Sequence, residues 1–177
     1  MKIEIPHPDE IDSLGTQITI HNWDTWSMDH TLAYIIVPML KQLKETKHGA
    51  PAVEFKDVPQ ELLPPDAEAF NKLYAQNGET DENFFKRWDY VLDEMIWAFE
   101  QKLIDWEDQY SSGEIDRISV PIDKDGNEVP EEDAEFHRWD KGPNDTYEVD
   151  WEGRKVHQDR MTNGFRLFGK YYESLWD

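Results

Sequence analysis

Apolar residues recur at helical intervals in three long segments of this chain. Between positions 28 and 43 they return every three or four residues, which predicts a helix with one buried face. Asp24 or Ser27 is placed to cap this helix, and Pro38 inside it predicts a bend, because proline removes a backbone donor. We therefore predict a strand and a kinked helix over 18–48.

The central segment carries the longest of these patterns. Its apolar positions alternate steps of three and four from 85 to 110, which predicts a helix over 80–110. Thr80 is placed as its N-cap, and the SSG stretch at 111–113 as its stop. Because further apolar residues widen this surface beyond one stripe, we expect this helix to be the spine of the fold.

The last segment is helical by the same spacing and basic in composition. We predict a C-terminal helix over 151–176 that begins after a cap at Asp150. Gly164 and Gly169 weaken this helix by about 1 kcal/mol each relative to alanine. The two glycines therefore predict close helix contacts or a bend.

Shorter patterns fill the rest of the chain. Gly49 is expected to end the first helix in the left-handed conformation, and four prolines make 49–65 a loop. The Asp125-Gly126 pair predicts the turn of a hairpin over 117–130, whose first strand lies at a sheet edge. The remaining predicted elements are strands over 2–5, 16–21 and 117–122, and short helices over 66–75 and 131–139.

Together these elements predict one helix-rich α+β domain over 1–177. It has a long central helix, a C-terminal helix packed against it and a small antiparallel sheet. A chain of 177 residues is long enough to bury a core. Aromatic residues make up 13% of the chain and include eight tryptophans, which argues against disorder despite the high charge.

The composition excludes several classes of protein. The chain has no cysteine, which rules out disulfides, thiol catalysis and cysteine-ligated metal. No apolar stretch approaches the roughly 18 residues that a membrane span needs. The beginning, MKIEIPHPDE, lacks the basic and apolar regions of a signal peptide, so a cytoplasmic location is expected.

The net charge of −21 is spread unevenly along the chain. The stretch 79–150 holds 23 acidic residues against 7 lysines and arginines. Direct nucleic acid binding is disfavoured, because phosphate binding needs clustered cations. The acidic excess is therefore a solvated surface, a face for a basic partner, or a set of metal sites.

Candidate residues for catalysis or metal binding are few. Asp89 and Asp93 lie four positions apart on the central helix, so they share a face and could hold a magnesium or manganese ion. A calcium-loop pattern starting at Asp123 fails, because Glu128 stands where glycine is required and Ala134 where glutamate is required. No nucleophile elbow, dinucleotide fingerprint or phosphate-binding loop is present, so we predict no catalytic residues and no cofactor.

The C-terminal helix is the main concentration of positive charge in this acidic chain. Arginine and lysine beside aromatic rings can hold a phosphate and stack a base, so this helix and the basic end of the first helix are candidates for binding a nucleotide-like anion. The alternative is that these cations pair with the carboxylates of the central helix. The candidate ligand-binding residues are Lys47, His48, Arg160, Arg166, Lys170 and Tyr171.

Three phrases of the sequence are long enough to be specific. They are DTWSMDHTLAYIIVPMLKQLKETKHGAP, FKRWDYVLDEMIWAFEQ and NGFRLFGKYYESLWD. They resemble a group of uncharacterised proteins encoded by large tailed bacteriophages related to the T-even group, including phages of marine cyanobacteria. The resemblance covers about 18–177 and implies a phage protein that acts in the cytoplasm of the infected host cell, or else in the virion. It implies no particular activity and no functional residues.

From these observations we expect a non-enzymatic phage accessory protein that binds and neutralises a host factor. One form of this hypothesis is that the protein evades host defence by sequestering a nucleotide signal. The alternatives are an acidic decoy that mimics nucleic acid and binds a host protein, a metal-dependent phosphohydrolase using Asp89 and Asp93, and a minor virion protein. No membrane partner is expected, and self-association into a homo-oligomer is compatible with each hypothesis.

Overall fold

The computed structural model describes residues 2–4 and 17–176. Within these residues the chain forms four α-helices and three two-stranded antiparallel sheets, joined by loops and short 3₁₀ turns. The predicted fold class, helix-rich α+β with small antiparallel pairing, is confirmed. No helix in the described part of the chain is long and apolar enough to cross a membrane.

The chain divides into two compact units. One consists of Met1–Ile104 and Asp159–Asp177, and the other of Asp105–Gln158. We call the first the helical unit. We call the second the acidic unit, because it has 17 acidic residues against 6 lysines and arginines. The boundary near position 158 falls inside a continuous helix, so the sequence gives no sign of it.

Two short strands open the helical unit. Strand β1 (Lys2–Glu4) pairs antiparallel with β2 (Gln17–Thr19). The two predicted strands are therefore confirmed as elements, although β2 is shorter than expected. The predicted ends at Ile5 and Thr16 lie outside the described residues.

Helix α1 spans Met28–Thr46, with Ser27 at its N-cap position. Asp24 instead accepts a hydrogen bond from the backbone N–H of His21 at 2.8 Å, so it caps the 3₁₀ turn that precedes the helix. Pro38 is accommodated inside α1, which runs on for another two turns.

Helix α1 does not end as the sequence predicted. Its C-cap residue, Lys47, has an extended backbone, and Gly49 is not among the glycines with positive φ. The left-handed stop at Gly49 is therefore wrong. The lysine side chain instead folds back and donates to the carbonyl of Lys44 at 2.9 Å, which satisfies one of the open carbonyls at the helix end.

Helix α2 spans Ala67–Asn77 and confirms the short helix predicted over 66–75. The carboxylate of Asp66 accepts a hydrogen bond from the backbone N–H of Ala69 at 2.9 Å, which caps the helix start. Gly78 ends the helix in the left-handed conformation, with φ of 72°.

Helix α3 (Phe84–Gln101) is the spine of the helical unit, as the sequence predicted. Trp88, Leu92 and Met95 of the predicted stripe are fully buried, and so are Val91 and Ala98 outside it. Apolar residues from three other segments complete the same core cluster. They are Leu40 of α1, Val53 of the proline-rich loop, and Leu167 and Tyr171 near the C-terminus.

The prediction of a central helix over 80–110 is too long at both ends. The N-cap is Asn83 rather than Thr80, and the helix ends at Gln101. Turns at 102–105 follow the helix, and a separate 3₁₀ segment then covers Trp106–Tyr110. A 3₁₀ turn repeats every three residues, so apolar spacing continues through it although the α-helix has ended.

Ion pairs join α1 to α3 and show that the two helices run antiparallel. Three lysines on one side of α1 contact carboxylates that occur in reverse order along α3, as expected for antiparallel helices. The pairs are Lys41 with Glu100 at 2.6 Å, Lys44 with Asp93 at 2.5 Å, and Lys47 with Asp89 at 2.5 Å.

The buried face of α1 coincides only in part with the stripe that the spacing predicted. The side that carries Ala33, Val37 and Leu40 is buried, close to the side that carries the paired lysines. Of the predicted stripe, Leu40 is fully buried, and Ile36 and Leu43 are partly buried against the core. The predicted core residues of α1 that are at least 40% exposed are Met28, Leu32 and Met39.

In the acidic unit, strand β3 (Ser111–Ser112) pairs with β6 (Glu148–Val149), and β4 (Arg117–Ile122) pairs with β5 (Phe136–Lys141). The predicted strand over 117–122 is confirmed. The predicted hairpin within 117–130 is reduced to a turn and a single bridge. Of the short helix predicted over 131–139, only a 3₁₀ turn over Glu131–Asp133 forms, and residues 136–139 belong to β5.

The partner of β4 was misplaced because the local turn is real but does not close the hairpin. Gly126 adopts the left-handed conformation with φ of 86°, and the Asp123 carboxylate accepts from the backbone N–H of Asn127 at 2.9 Å. Only one bridge follows, between Ile122 and Glu128. The backbone N–H of Val129 donates to the carbonyl of Pro121 at 3.1 Å, but Pro121 has no N–H to return the bond, so the pairing stops there.

Helix α4 spans Trp151–Lys170, followed by a 3₁₀ turn over Tyr172–Ser174. The predicted helix over 151–176 is thus correct in its start and about two turns too long. The Asp150 carboxylate accepts from the backbone N–H of Gly153 at 2.9 Å, which confirms the predicted cap.

Candidate functional site

A single enclosed carboxylate gathers three of the predicted ligand-binding side chains. The side chain of Asp57 is 1% exposed. It accepts hydrogen bonds from the guanidinium of Arg166 at 2.6 Å, from the hydroxyl of Tyr171 at 2.7 Å and from the ammonium of Lys170. Lys170 also contacts the carboxylate of Glu54 at 2.9 Å. We call these five residues the Asp57 cluster.

The positions of these side chains follow from local structure. Arg166 and Lys170 are four residues apart on α4, so they extend from the same side of the helix. The ring of Tyr171 packs edge-on against Trp88 with centroids 5.7 Å apart, which fixes the hydroxyl in place. The carboxylate comes from the 3₁₀ turn Phe55–Asp57, in the loop that the prolines predicted.

The cluster is ionised at neutral pH. Burial by itself would raise the pKa of Asp57, but the hydrogen bonds from Lys170, Tyr171 and Arg166 outweigh it and hold the pKa below its ordinary value. Burial would likewise lower the pKa of Lys170, and its bonds to Asp57 and Glu54 instead raise that pKa. An ammonium, a guanidinium and a carboxylate therefore face one another as charged groups.

The other predicted ligand-binding residues have different partners. Arg160 forms two hydrogen bonds with the carboxylate of Glu94, at 3.0 and 2.7 Å, and its guanidinium lies 3.9 Å from the ring centre of Trp97. Lys47 pairs with Asp89, and His48 is an exposed residue just beyond α1. The structure thus brings Arg166, Lys170 and Tyr171 together around one point and gives Lys47 and Arg160 carboxylates of their own.

The two metal candidates, Asp89 and Asp93, are each held by a lysine of α1. Their carboxylates lie 2.5 Å from the ammonium groups of Lys47 and Lys44 respectively. Within residues 2–4 and 17–176, no three histidine, aspartate or glutamate side chains are grouped so that they could hold a metal ion. In this arrangement each of the two aspartates links α3 to the C-terminal end of α1.

A surface cleft adjoins the Asp57 cluster. Its volume is about 320 Å³, at the lower end of the range of about 300–1,000 Å³ typical of small-molecule sites. Lys56 is the cation in its lining and pairs with Glu54 at 2.8 Å. The lining residues are Ala52, Val53, Glu54, Phe55, Lys56 and Asn71.

The acidic unit has the opposite character, because its carboxylates outnumber its cations by 11. Arg117 pairs with Asp145, Arg138 with Glu128 and Asp140, and Arg154 with Glu107. Apart from the helix cap Asp150, nine further exposed carboxylates of this unit make no ion pair with a lysine, an arginine or a histidine within the described chain. They are Asp105, Asp108, Glu114, Asp125, Glu132, Asp133, Glu135, Glu148 and Glu152.

Large aromatic side chains are exposed among these acids. Trp139 on β5 is 68% exposed and Phe136 at the start of the same strand is 59% exposed. Three of the unpaired acids, Glu132, Asp133 and Glu135, immediately precede this strand. The segment 132–139 therefore carries exposed carboxylates and exposed aromatic side chains close together in the chain.

Sequence reasoning missed the acidic members of the Asp57 cluster. Asp57 and Glu54 lie in a proline-rich stretch that reads as a solvated loop, and nothing in its composition marks one acid as buried. The available signal was indirect: a basic helix in a strongly acidic protein needs acidic partners somewhere. The alternative considered for the cations, pairing with α3, describes Arg160 and Lys47 but not Arg166 or Lys170.

No protein-family model, no curated protein and no solved structure matches this chain. The resemblance to proteins of large tailed phages stays a prediction from the sequence.

Proposed function

We propose that this is a non-enzymatic binding protein whose acidic unit, Asp105–Gln158, binds a basic surface on another protein. The observation that carries the proposal is the set of nine exposed carboxylates there without a basic partner in the described chain. Together with the resemblance to phage proteins, it makes a host nucleic-acid-binding protein the expected partner, and the chain a decoy for nucleic acid.

Electrostatics support this choice of partner. Clustered surface charge of one sign raises the rate of encounter with an oppositely charged surface and disfavours like-charged partners. A protein that binds nucleic acid carries the clustered lysine and arginine needed to neutralise phosphates. Carboxylates spread over a folded surface offer that partner the same sign of charge as a phosphate backbone.

The exposed aromatic residues can supply binding energy, which surface charge alone provides only weakly. Rim charges change the association rate more than the affinity, whereas tryptophan and tyrosine are enriched among residues that dominate binding energy. Trp139, 68% exposed on β5, is the expected anchor of this kind. The acids beside it would direct a basic partner to that point.

The test is competition with DNA for purified bacterial nucleic-acid-binding proteins, followed by fluorescence anisotropy of a labelled duplex. We expect the wild-type chain to displace DNA, and the triple variant Glu132→Gln, Asp133→Asn and Glu135→Gln to do so at least tenfold less well. Tenfold corresponds to about 1.4 kcal/mol of binding free energy. Binding should also weaken with added salt, because the attraction is screened.

A charge-matched control separates the acidic unit from net charge. Glu45→Gln, Glu68→Gln and Glu82→Gln remove three exposed charges from the helical unit instead. If both triple variants lose competition equally, the effect is one of total charge and the proposed surface is wrong. Failure of the wild-type chain to displace DNA from any protein of the panel contradicts the decoy function.

Capture of a nucleotide is the second candidate, supported by the convergence of Arg166, Lys170 and Tyr171 on one anionic group. A phosphate would have to take the place of the Asp57 carboxylate on these donors. Calorimetry with cyclic and linear nucleotides tests this. Micromolar binding that Arg166→Ala weakens about 10- to 100-fold, as expected for the loss of one charge-assisted bond, would support it. An absence of binding at that concentration would exclude it.

A further inference from the structure

Helix α1 carries a second apolar stripe that the fold of the described chain leaves open. Met28 is 55% exposed, Leu32 40% and Met39 62%, and Ile35 between them is half-buried. At 100° per residue these four positions lie within about 60° of one another on the helix. The stripe is separate from the side of α1 that carries Ala33 and Val37, which is buried in the core.

Two tryptophans extend this stripe at the N-terminal end of α1. Trp23 and Trp26 are 78% and 81% exposed, and their rings contact each other with centroids 5.8 Å apart. A tryptophan side chain buries on the order of 150–250 Å² when covered. The two rings and the α1 stripe therefore expose apolar area on the order of 700 Å², above the roughly 300–600 Å² of the largest patch on a typical monomer.

This stripe is also uncharged, which is unusual in a chain of net charge −21. On the helical projection, the sector from Pro38 through Met39 to Ile36 contains no charged residue, and its polar members are threonine and glutamine. The charged residues of α1 lie outside this sector. They are Asp29, Lys41, Lys44 and Glu45.

We propose that this surface, Trp23, Trp26 and the α1 stripe, is the contact between two copies of this chain. In a symmetric dimer the same patch meets itself, so an uncharged stripe buries no unpaired charge. Elsewhere two copies of an acidic chain repel each other, which makes this sector the place where self-association is least opposed. Its area is close to the roughly 800 Å² per partner of a standard interface.

A second copy fits this surface better than the basic partner of the acidic unit does. A basic protein gains from carboxylates, and the stripe has none. An isologous helix pair needs only that both copies present the same apolar ridge, which the spacing of Met28, Leu32 and Met39 provides. The inference does not depend on the function proposed for the acidic unit.

Sedimentation equilibrium of the full-length chain over a hundredfold concentration range tests the proposal. We expect a monomer–dimer equilibrium that shifts toward dimer with added salt, because screening reduces the repulsion between acidic copies. Met39→Glu and Leu32→Glu should each weaken the dimer at least tenfold, because each variant buries two like charges at the contact.

Tyr34→Glu is the matched control. Tyr34 is 63% exposed on the same helix but lies outside the uncharged sector, and the substitution adds the same charge. It should leave the dimer constant within about twofold, while circular dichroism shows that all three variants stay folded. A wild-type chain that is monomeric throughout overturns the proposal, as does a dimer that Met39→Glu leaves intact or that Tyr34→Glu weakens equally.

Discussion

Replacing Gly164 with alanine is expected to lower the free energy of unfolding of the helical unit by about 2–3 kcal/mol. A Cβ atom at this position would lie 2.3 Å from the Cβ of Ala98 and 2.6 Å from the carbonyl oxygen of Glu94. Neither neighbour can rotate away, since one is a methyl group and the other is backbone. Helices α3 and α4 would have to separate, and the gain in helix propensity of about 1 kcal/mol would not offset that loss.

Gly169 is the control for this prediction, because it lies on the same helix and a methyl group added there would have no atom within 4 Å. Gly169→Ala should stabilise the chain by about 0.4–1 kcal/mol, through reduced backbone freedom in the unfolded state. Urea denaturation followed by tryptophan fluorescence measures both variants. Equal effects of the two substitutions would show that helix propensity, and not the contact with Ala98, determines the outcome.

Replacing Asp57 with asparagine is expected to lower the free energy of unfolding by about 2–4 kcal/mol, or roughly 5–15 °C in melting temperature. The substitution keeps the shape of the side chain but removes the negative charge that Arg166 and Lys170 share. The expected loss of stability is smaller than that from breaking a fully buried ion pair, because the Arg166 side chain is 45% exposed and water screens its charge.

Two comparisons assign this loss to the Asp57 cluster. Glu54→Gln removes a carboxylate that is 54% exposed and should have little effect. In a Lys170→Met background, Asp57→Asn should cost less than in the wild type, since one of the charges left unpaired is gone. Additive losses in the double variant would mean that the two side chains do not act together.

The pKa shifts in the Asp57 cluster predict how the stability of the chain changes with pH. The pKa of Asp57 is lowered in the folded chain, so its contribution is present above the unfolded pKa of about 3.9 and is lost as pH falls through the folded value. The pKa of Lys170 is raised, so its contribution is complete below its ordinary pKa and is lost at higher pH. In the Asp57→Asn variant the free energy of unfolding should decrease less as the pH is lowered, because this carboxylate is no longer there to be protonated.

The helices were predictable from the sequence because their spacing, caps and stops are local. Asp66 and Gly78 bound α2 by hydrogen bonds within a few residues, and Asp150 begins α4 in the same way. The end of α3 was not predictable, because apolar steps of three suit both an α-helix and the 3₁₀ segment Trp106–Tyr110.

The candidate site was predictable only in part. The sequence singled out Arg166, Lys170 and Tyr171, which share one stretch of helix and are neighbours for local reasons. Their common partner, Asp57, lies more than 100 residues away in the chain, and no local pattern marks it. The partner of β4 was missed for a related reason, since strand pairing depends on which distant segment has free backbone groups.

What the sequence determined by itself is therefore the helix-rich content, most of the helix starts and the uneven negative charge, since these depend on spacing and composition alone. Only the tertiary structure decided which side of each helix is covered. In the folded chain Ala33, Val37 and Leu40 of α1 are buried, whereas Met28, Leu32 and Met39 are exposed. Both sides are apolar, so periodicity cannot rank them. The choice depends on the shape of the core to which α3, the proline-rich loop and α4 contribute, and these segments meet α1 only when the chain folds.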